Sequence, residues 1–157
     1  MNEMYLKMIL ALPDEFFDGW EWQAGDKALS INDQYKRELL LLTTAPLKKL
    51  NSNDKVTLLF LHSMDGVTVE EYIFNLRPVP SQQQLQEMVK NHMLKDDETV
   101  LDYDIINFFC DWFKAHFCSK YTYKEIEHSS IKSVWLRYAM HIIYSKKWNS
   151  ESWEKMA

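Results

Sequence analysis

At Arg77-Pro78-Val79-Pro80 the side-chain rhythm of the chain changes, and that change limits the fold more than any other feature. Upstream, short apolar runs separated by turn residues follow the two-residue period of strands. Downstream, apolar residues recur three and four apart, as they do along one face of a helix. Each proline fixes its own φ and pushes the preceding residue towards extended backbone, so the joint is stiff. The expectation is an α+β fold in which an N-terminal antiparallel β-sheet, from residues 1–80, packs against three or four C-terminal α-helices from residues 81–157. At 157 residues the chain is the length of one domain, on a prior of roughly 100–200 residues per domain.

Met4 to Leu12 reads as a first strand, closed by Pro13 and an acidic turn at Asp14-Glu15. Trp20-Glu21-Trp22 alternates in period two, which as a strand sends the two indoles to opposite faces. Lys27 to Ile31 and Tyr35 to Thr44, with its Leu39-Leu40-Leu41-Leu42 run, supply further strands. The strongest local signal is Val56 to Ser63, then Met64-Asp65-Gly66, then Val67 to Leu76: an Asp-Gly step between β-rich runs predicts a hairpin, because glycine accepts the positive φ of a tight turn.

After the joint, Ser81-Gln82-Gln83-Gln84 matches a capping box and predicts a helix to about Lys95. A second helix starts at Asp102 or Tyr103, with Ile105, Phe108, Phe109, Trp112 and Ala115 as its core stripe. A third, capped by Ser129 or Ser130, runs to about Lys147. It places Ile131, Trp135, Tyr138, Ala139 and Ile142 on one face and Ser133, Arg137, His141 and Ser145 on the other. Asn149 is expected to cap a short terminal turn ending near Met156.

Charge and composition remove several classes of function. Eighteen Lys and Arg stand against 23 Asp and Glu, a net charge of −5, which opposes non-specific DNA binding through phosphate neutralisation. The three glycines, Gly19, Gly25 and Gly66, are too dispersed for a dinucleotide-binding or Walker loop. Cys110 and Cys118 lie eight apart in one helical pattern, about 12 Å at ~1.5 Å per residue, too far for a disulfide, which fits a reducing cytoplasm. The N-terminus lacks a cleavage site, and no run approaches the ~20 apolar residues of a membrane span.

Four constellations are worth testing for chemistry. Cys110, His116, Cys118 and His128 carry zinc-type ligands without zinc-type spacing. Ser129-Ser130-Ile131-Lys132 matches an S-x-x-K serine site, but its companion motifs are absent and a helix cap explains it. Asp96, Asp97, Glu98, Asp102 and Asp104 form an acidic run without the glycine-centred pattern of a calcium loop; Asp102 and Asp104, with His116, are where an unfamiliar enzyme would keep its cleft. Finally, Lys132, Arg137, Lys146 and Lys147, interleaved with aromatic residues, are the candidate nucleic-acid contacts. None of these calls for a catalytic residue, a metal or a cofactor. The six tryptophans are the other unusual feature: Trp20, Trp22, Trp148 and Trp153 are candidate partner contacts, because exposed aromatics concentrate binding energy at interfaces.

Three stretches carry a family resemblance: Gly19-Trp20-Glu21-Trp22-Gln23-Ala24-Gly25-Asp26-Lys27-Ala28, Pro80-Ser81-Gln82-Gln83-Gln84-Leu85-Gln86-Glu87-Met88, and Trp135-Leu136-Arg137-Tyr138-Ala139-Met140 with Lys147-Trp148-Asn149-Ser150-Glu151-Ser152-Trp153. Together they resemble small accessory proteins of tailed phages and prophages; residues 36–76 lie outside the likeness. The resemblance implies a protein made in a bacterial host cytoplasm from a mobile element, and supplies no catalytic residues. The resulting expectation is non-catalytic binding of a host protein, such as a defence component met by an anti-CRISPR-like inhibitor. The alternative is nucleic-acid association through the basic, aromatic C-terminal helix.

Overall fold

A computed structural model describes residues 3–18, 20–42, 53–61, 65–117 and 130–156. The fold is α+β, with a five-stranded antiparallel sheet in the N-terminal half and several helices in the C-terminal half. Two compact units divide the chain: Leu12–Pro80, and Met1–Ala11 together with Ser81–Ala157. The boundary at Pro80 and Ser81 is the stiff joint where the sequence changes period.

The sheet unit contains α2 (Asp14–Asp18), β1 (Lys27–Ser30), β2 (Leu39–Leu42), β3 (Lys55–Phe60), β4 (Thr68–Tyr72), a 3-10 turn (Ile73–Asn75) and β5 (Leu76–Pro78). Strand order is β4-β3-β2-β1-β5. The register pairs Leu41 with Leu58 and Leu39 with Phe60. Alternation along the strands then gathers Ala28, Leu39, Leu41, Val56, Leu58, Ile73 and Leu76 into one buried cluster. Gly66, at φ +60°, lies in the β3–β4 connection, where the Asp-Gly step predicts it.

Trp20-Glu21-Trp22 is not a strand, and its indoles do not diverge to opposite faces. Trp20 stacks on Phe16 with ring centroids 6.0 Å apart, and meets Trp22 edge-on at 6.2 Å. Trp22 packs against the sheet cluster. Backbone hydrogen-bonding explains the difference: Gly25 N–H donates to Leu41 O at 2.9 Å, so the ladder on β2 begins only after the tryptophans.

The helical unit contains α1 (Glu3–Leu10), α3 (Gln82–Leu94), α4 (Asp102–Trp112), a π-helical turn (Phe113–Phe117), α5 (Ile131–Tyr144), β6 (Lys146–Trp148) and β7 (Trp153–Lys155). The first expected strand is therefore a helix. Its buried residues, Tyr5, Met8 and Ile9, fall at i, i+3 and i+4, and good helix formers dominate the segment. The capping box on α3 is complete, with Ser81 Oγ accepting from Gln84 N–H and Gln84 Oε1 accepting from Ser81 N–H. Ser130 caps α5 by accepting from Ser133 N–H at 3.1 Å; Ser129 lies outside the described residues.

Helix α5 departs from the expected two-faced pattern: every residue from Ser133 to Met140 is buried, including Ser133 and Arg137, whereas Ile131 is exposed. The cause is that α1, α3, α4 and β6 all pack against it, which leaves no solvent face along its middle. Helix α4 departs in the opposite sense. Ile105 and Phe109 are buried, and Phe109 stacks on Trp135 at 3.9 Å, but Phe108 and Ala115 face solvent. The terminal turn is a hairpin. Trp148 pairs with Trp153 across β6 and β7, and Asn149 Oδ1 accepts from the N–H groups of Glu151 and Ser152 at 2.9 and 2.8 Å. Ser145, in the left-handed region at φ 53°, turns the chain out of α5 into this hairpin.

Candidate functional site

Three of the four cations singled out in the sequence meet around one pocket of about 290 Å³ in the helical unit. Arg137 and His141, one turn apart on α5, supply one part of the lining. The reversal at Ser145 brings in Lys146 and Lys147 from β6. Trp112 and His116 come from the end of α4 and the π-helical turn, with rings nearly parallel at 16° and centroids 6.3 Å apart. The His116 ring is 5.5 Å from that of His141. A π-helical turn shifts the residues that follow it around the helix axis, a distortion found often at functional sites. Here it carries His116 into the pocket.

Among the described lining residues Glu154 is the one carboxylate. Its place is fixed by strand register: it stands opposite Lys147, pairs with that ammonium at 3.6 Å, and accepts from Asn149 Nδ2 at 3.3 Å. The pocket is thus a cationic, ring-lined recess with one tethered acid. Lys132, on the first turn of α5, is not part of the lining.

Of the candidate partner contacts, Trp148 and Trp153 are only 7% and 9% exposed. Their rings pack on each other at 5.1 Å, and Trp153 Nε1–H donates to Met8 O at 3.0 Å, pinning the hairpin to α1. They are core residues, not exposed contacts. Trp20 and Trp22 are half-buried. Exposed large apolar side chains occur on both units, with Tyr35 and Phe74 among them, and four fall close together in sequence on α4 and at its start: Leu101 and Tyr103 are 65% and 73% exposed, and Ile106 and Phe108 are 43% and 45% exposed. Sequence periodicity missed this surface because it assigned Phe108 to the core stripe.

The acidic run does not assemble a cleft with His116. Asp102 pairs with Lys90 at 2.7 Å, Asp104 accepts from Leu101 N–H at 2.9 Å, and Asp97 accepts from both the N–H and the hydroxyl of Thr99. The two Thr99 hydrogen bonds hold the Asp97 carboxyl below its ordinary range. His116 lies beyond the opposite end of the helix, roughly 18 Å from Asp104 at the helical rise. No cluster of three His, Cys, Asp or Glu suited to a metal occurs among the described residues. Cys110 is exposed; Cys118 and His128 lie outside the described residues. Among the described residues no helix is long and apolar enough to cross a membrane.

The sheet unit holds a second recess, of about 370 Å³, which sequence reading did not identify. Glu71 is its hub. One carboxylate oxygen accepts from Ser30 Oγ–H and Asn32 Nδ2–H, both at 3.2 Å, and the other from Tyr72 N–H and Asn75 Nδ2–H at 3.0 and 2.9 Å. Partial burial acts to raise the Glu71 pKa, but these hydrogen bonds outweigh it and hold the carboxyl below its usual range. Nearby, Arg37 lies 4.2 Å over the Phe60 ring and pairs with Asp33 at 3.1 Å. Asp33 is likewise lowered: burial opposes the shift, and hydrogen bonds from Arg37 and Tyr35 overcome it.

In comparison with known proteins, no family model matches the chain, and no curated protein or solved structure matches it either.

Proposed function

We propose that the chain is a non-catalytic accessory protein that binds a protein of a bacterial host, in the setting its phage-like motif set implies. The observation that carries this reading is the run of exposed apolar side chains on α4 and just before it. Leu101, Tyr103, Ile106 and Phe108 put four large apolar side chains into solvent within eight residues. Such groups cost free energy in water, about 25 cal/mol for each Å² left uncovered, and a protein partner recovers it. Aromatic residues are enriched where interfaces concentrate their energy. The acids that precede and flank them, from Asp96 to Asp104, suit a polar rim around such a centre.

Nucleic-acid association has narrower support. Arg137, Lys146 and Lys147 converge on a pocket, whereas single-strand binding draws on a groove that tracks the backbone. Lys132 lies outside that cluster. The net charge of −5 also works against it.

The test is capture from host lysate with the wild-type chain and with a Tyr103→Glu/Phe108→Glu variant, each first checked by circular dichroism. One near-stoichiometric host protein held by the wild type and lost from the variant is the expected result. If both chains retain the same proteins, or neither retains any, α4 is not the contact surface.

A further inference from the structure

We propose that the outer edge of β4 is a docking site for an extended segment of another protein, which adds to the sheet antiparallel to β4 and sets a Lys or Arg opposite Glu70. Strand order leaves β4 and β5 at the two edges of the sheet. In an antiparallel ladder, alternate residues turn their N–H and C=O groups towards the neighbouring strand and the rest turn theirs away. Phe60 N–H donates to Val67 O at 3.1 Å and Ile73 N–H to Asp54 O at 2.9 Å, and the register between these bonds runs without a bulge from Thr68 to Tyr72. Val67, Val69, Glu71 and Ile73 therefore turn their backbone groups to β3. Thr68, Glu70 and Tyr72 turn theirs outward, and all three residues are exposed. Tyr72 N–H is taken by Glu71 Oε1 at 3.0 Å. The edge thus presents the N–H and C=O groups of Thr68 and Glu70, and the C=O of Tyr72.

The opposite edge is closed. On β5 the same alternation, set by Ile31 N–H to Asn75 O and Val79 N–H to Lys27 O, both at 2.9 Å, turns Leu76 and Pro78 outward. Both residues are buried, and Pro78 has no N–H to offer. Proteins commonly blunt a free edge with proline, lysine or a bulge; β4, Thr-Val-Glu-Glu-Tyr, has none of these. An extended strand is what completes such a row of backbone groups. Charge then selects among strands. Glu70 is exposed, and among the described residues it pairs with no cation. Lys55, on β3 opposite Tyr72, lies over that ring at 5.1 Å. The adjacent Glu71 is satisfied by neutral donors, from Ser30, Asn32, Tyr72 and Asn75, so its charge stands without an ion pair as well. A cation directly opposite Glu70 adds a favourable cross-strand pair. A second copy of the chain brings the reverse, because self-pairing centred on Glu70 sets two carboxylates against each other. This assignment rests on the sheet unit alone and does not depend on the reading of α4.

The test is amide hydrogen exchange of the full chain, followed by NMR, with the acetylated and amidated peptide Thr-Val-Thr-Lys-Val-Thr at millimolar concentration. Antiparallel addition places its lysine opposite Glu70. Exchange at Thr68 and Glu70 should slow at least about tenfold, since each amide gains a hydrogen bond. Two altered peptides separate the contributions. N-methylation of the lysine backbone amide keeps the charge and removes the donor to Glu70 C=O, and glutamate in place of lysine keeps the backbone and inverts the charge; both should lose the protection. In a Glu70→Lys chain, first checked by circular dichroism, the preference should invert, with the glutamate peptide protecting Thr68 and the lysine peptide losing its effect. No slowing with the lysine peptide, or equal slowing with its N-methylated form, would overturn the proposal. So would protection of Thr68 and Glu70 that rises with chain concentration in the absence of peptide, which assigns the edge to a second copy.

Discussion

Glu71 illustrates what decides stability at the scale of a residue. Its carboxylate accepts four hydrogen bonds, two of them from residues about forty positions away on the other side of the sheet. Because its pKa is held below the ordinary 4.5, its contribution is complete above that value and fades as pH falls through the lowered one. Glu71→Gln should therefore cost about 1.5–3 kcal/mol at neutral pH, the range for hydrogen bonds to a charged group, and much less at pH near 2. Denaturant unfolding at the two pH values measures this directly. Tyr138 shifts the other way: burial, then the nearby Asp111 carboxylate, push its phenol up to about 12. Its protonated form is favoured by folding, so stability is lost as pH rises above 10, and ultraviolet absorbance should show one tyrosine ionising late. Neither environment was fully legible in the sequence, since Ser30 and Asn32 reach Glu71, and Asp111 reaches Tyr138, only through the fold. The cations were legible individually, because residues 131–148 carry basic and no acidic side chains, but which three of them line the pocket was not.

At the scale of elements, the features read correctly are those whose physics is local. A capping box spans four residues, and Ser81 and Gln84 form it as the sequence predicts. Ser81→Ala should cost about 1 kcal/mol, read as a lowered unfolding midpoint. The Asp-Gly hairpin is another local signal, and β3 and β4 pair antiparallel around it. Errors came where local pattern underdetermines structure. Met4 to Leu12 is short and apolar enough to pass as a strand, yet Tyr5, Met8 and Ile9 bury one helical face. Around Asn149 an Asx-type turn serves a hairpin as readily as a helix start, and the pairing of Trp148 with Trp153 decides between them. Helix α5 is the structural centre of its unit: Trp135 is 1% exposed and stacked on Phe109. Trp135→Ala should cost about 3–5 kcal/mol, with the loss seen as an early unfolding transition in near-ultraviolet circular dichroism.

At the scale of the molecule, the change in side-chain period at the proline joint also marks the boundary between two compact units, with one exception, α1, which belongs to the helical unit although it precedes the sheet in sequence. Fold class followed from periodicity because each half builds a buried apolar core, the Ala28–Leu76 cluster in the sheet unit and the middle of α5 in the helical unit. The surface assigned to a partner was hidden from the sequence for the opposite reason: Phe108 continues the helical stripe of α4, so its exposure becomes visible only once the packing of that helix is known. The most direct test of the central claim is photo-crosslinking in host cells, with p-benzoylphenylalanine replacing Phe108 on α4 or, as a control, the more exposed Tyr35 of the sheet unit. A single discrete adduct with one host protein from position 108, absent from position 35, is the predicted result. Identical adduct patterns from the two positions, or an adduct from position 35 alone, would contradict it.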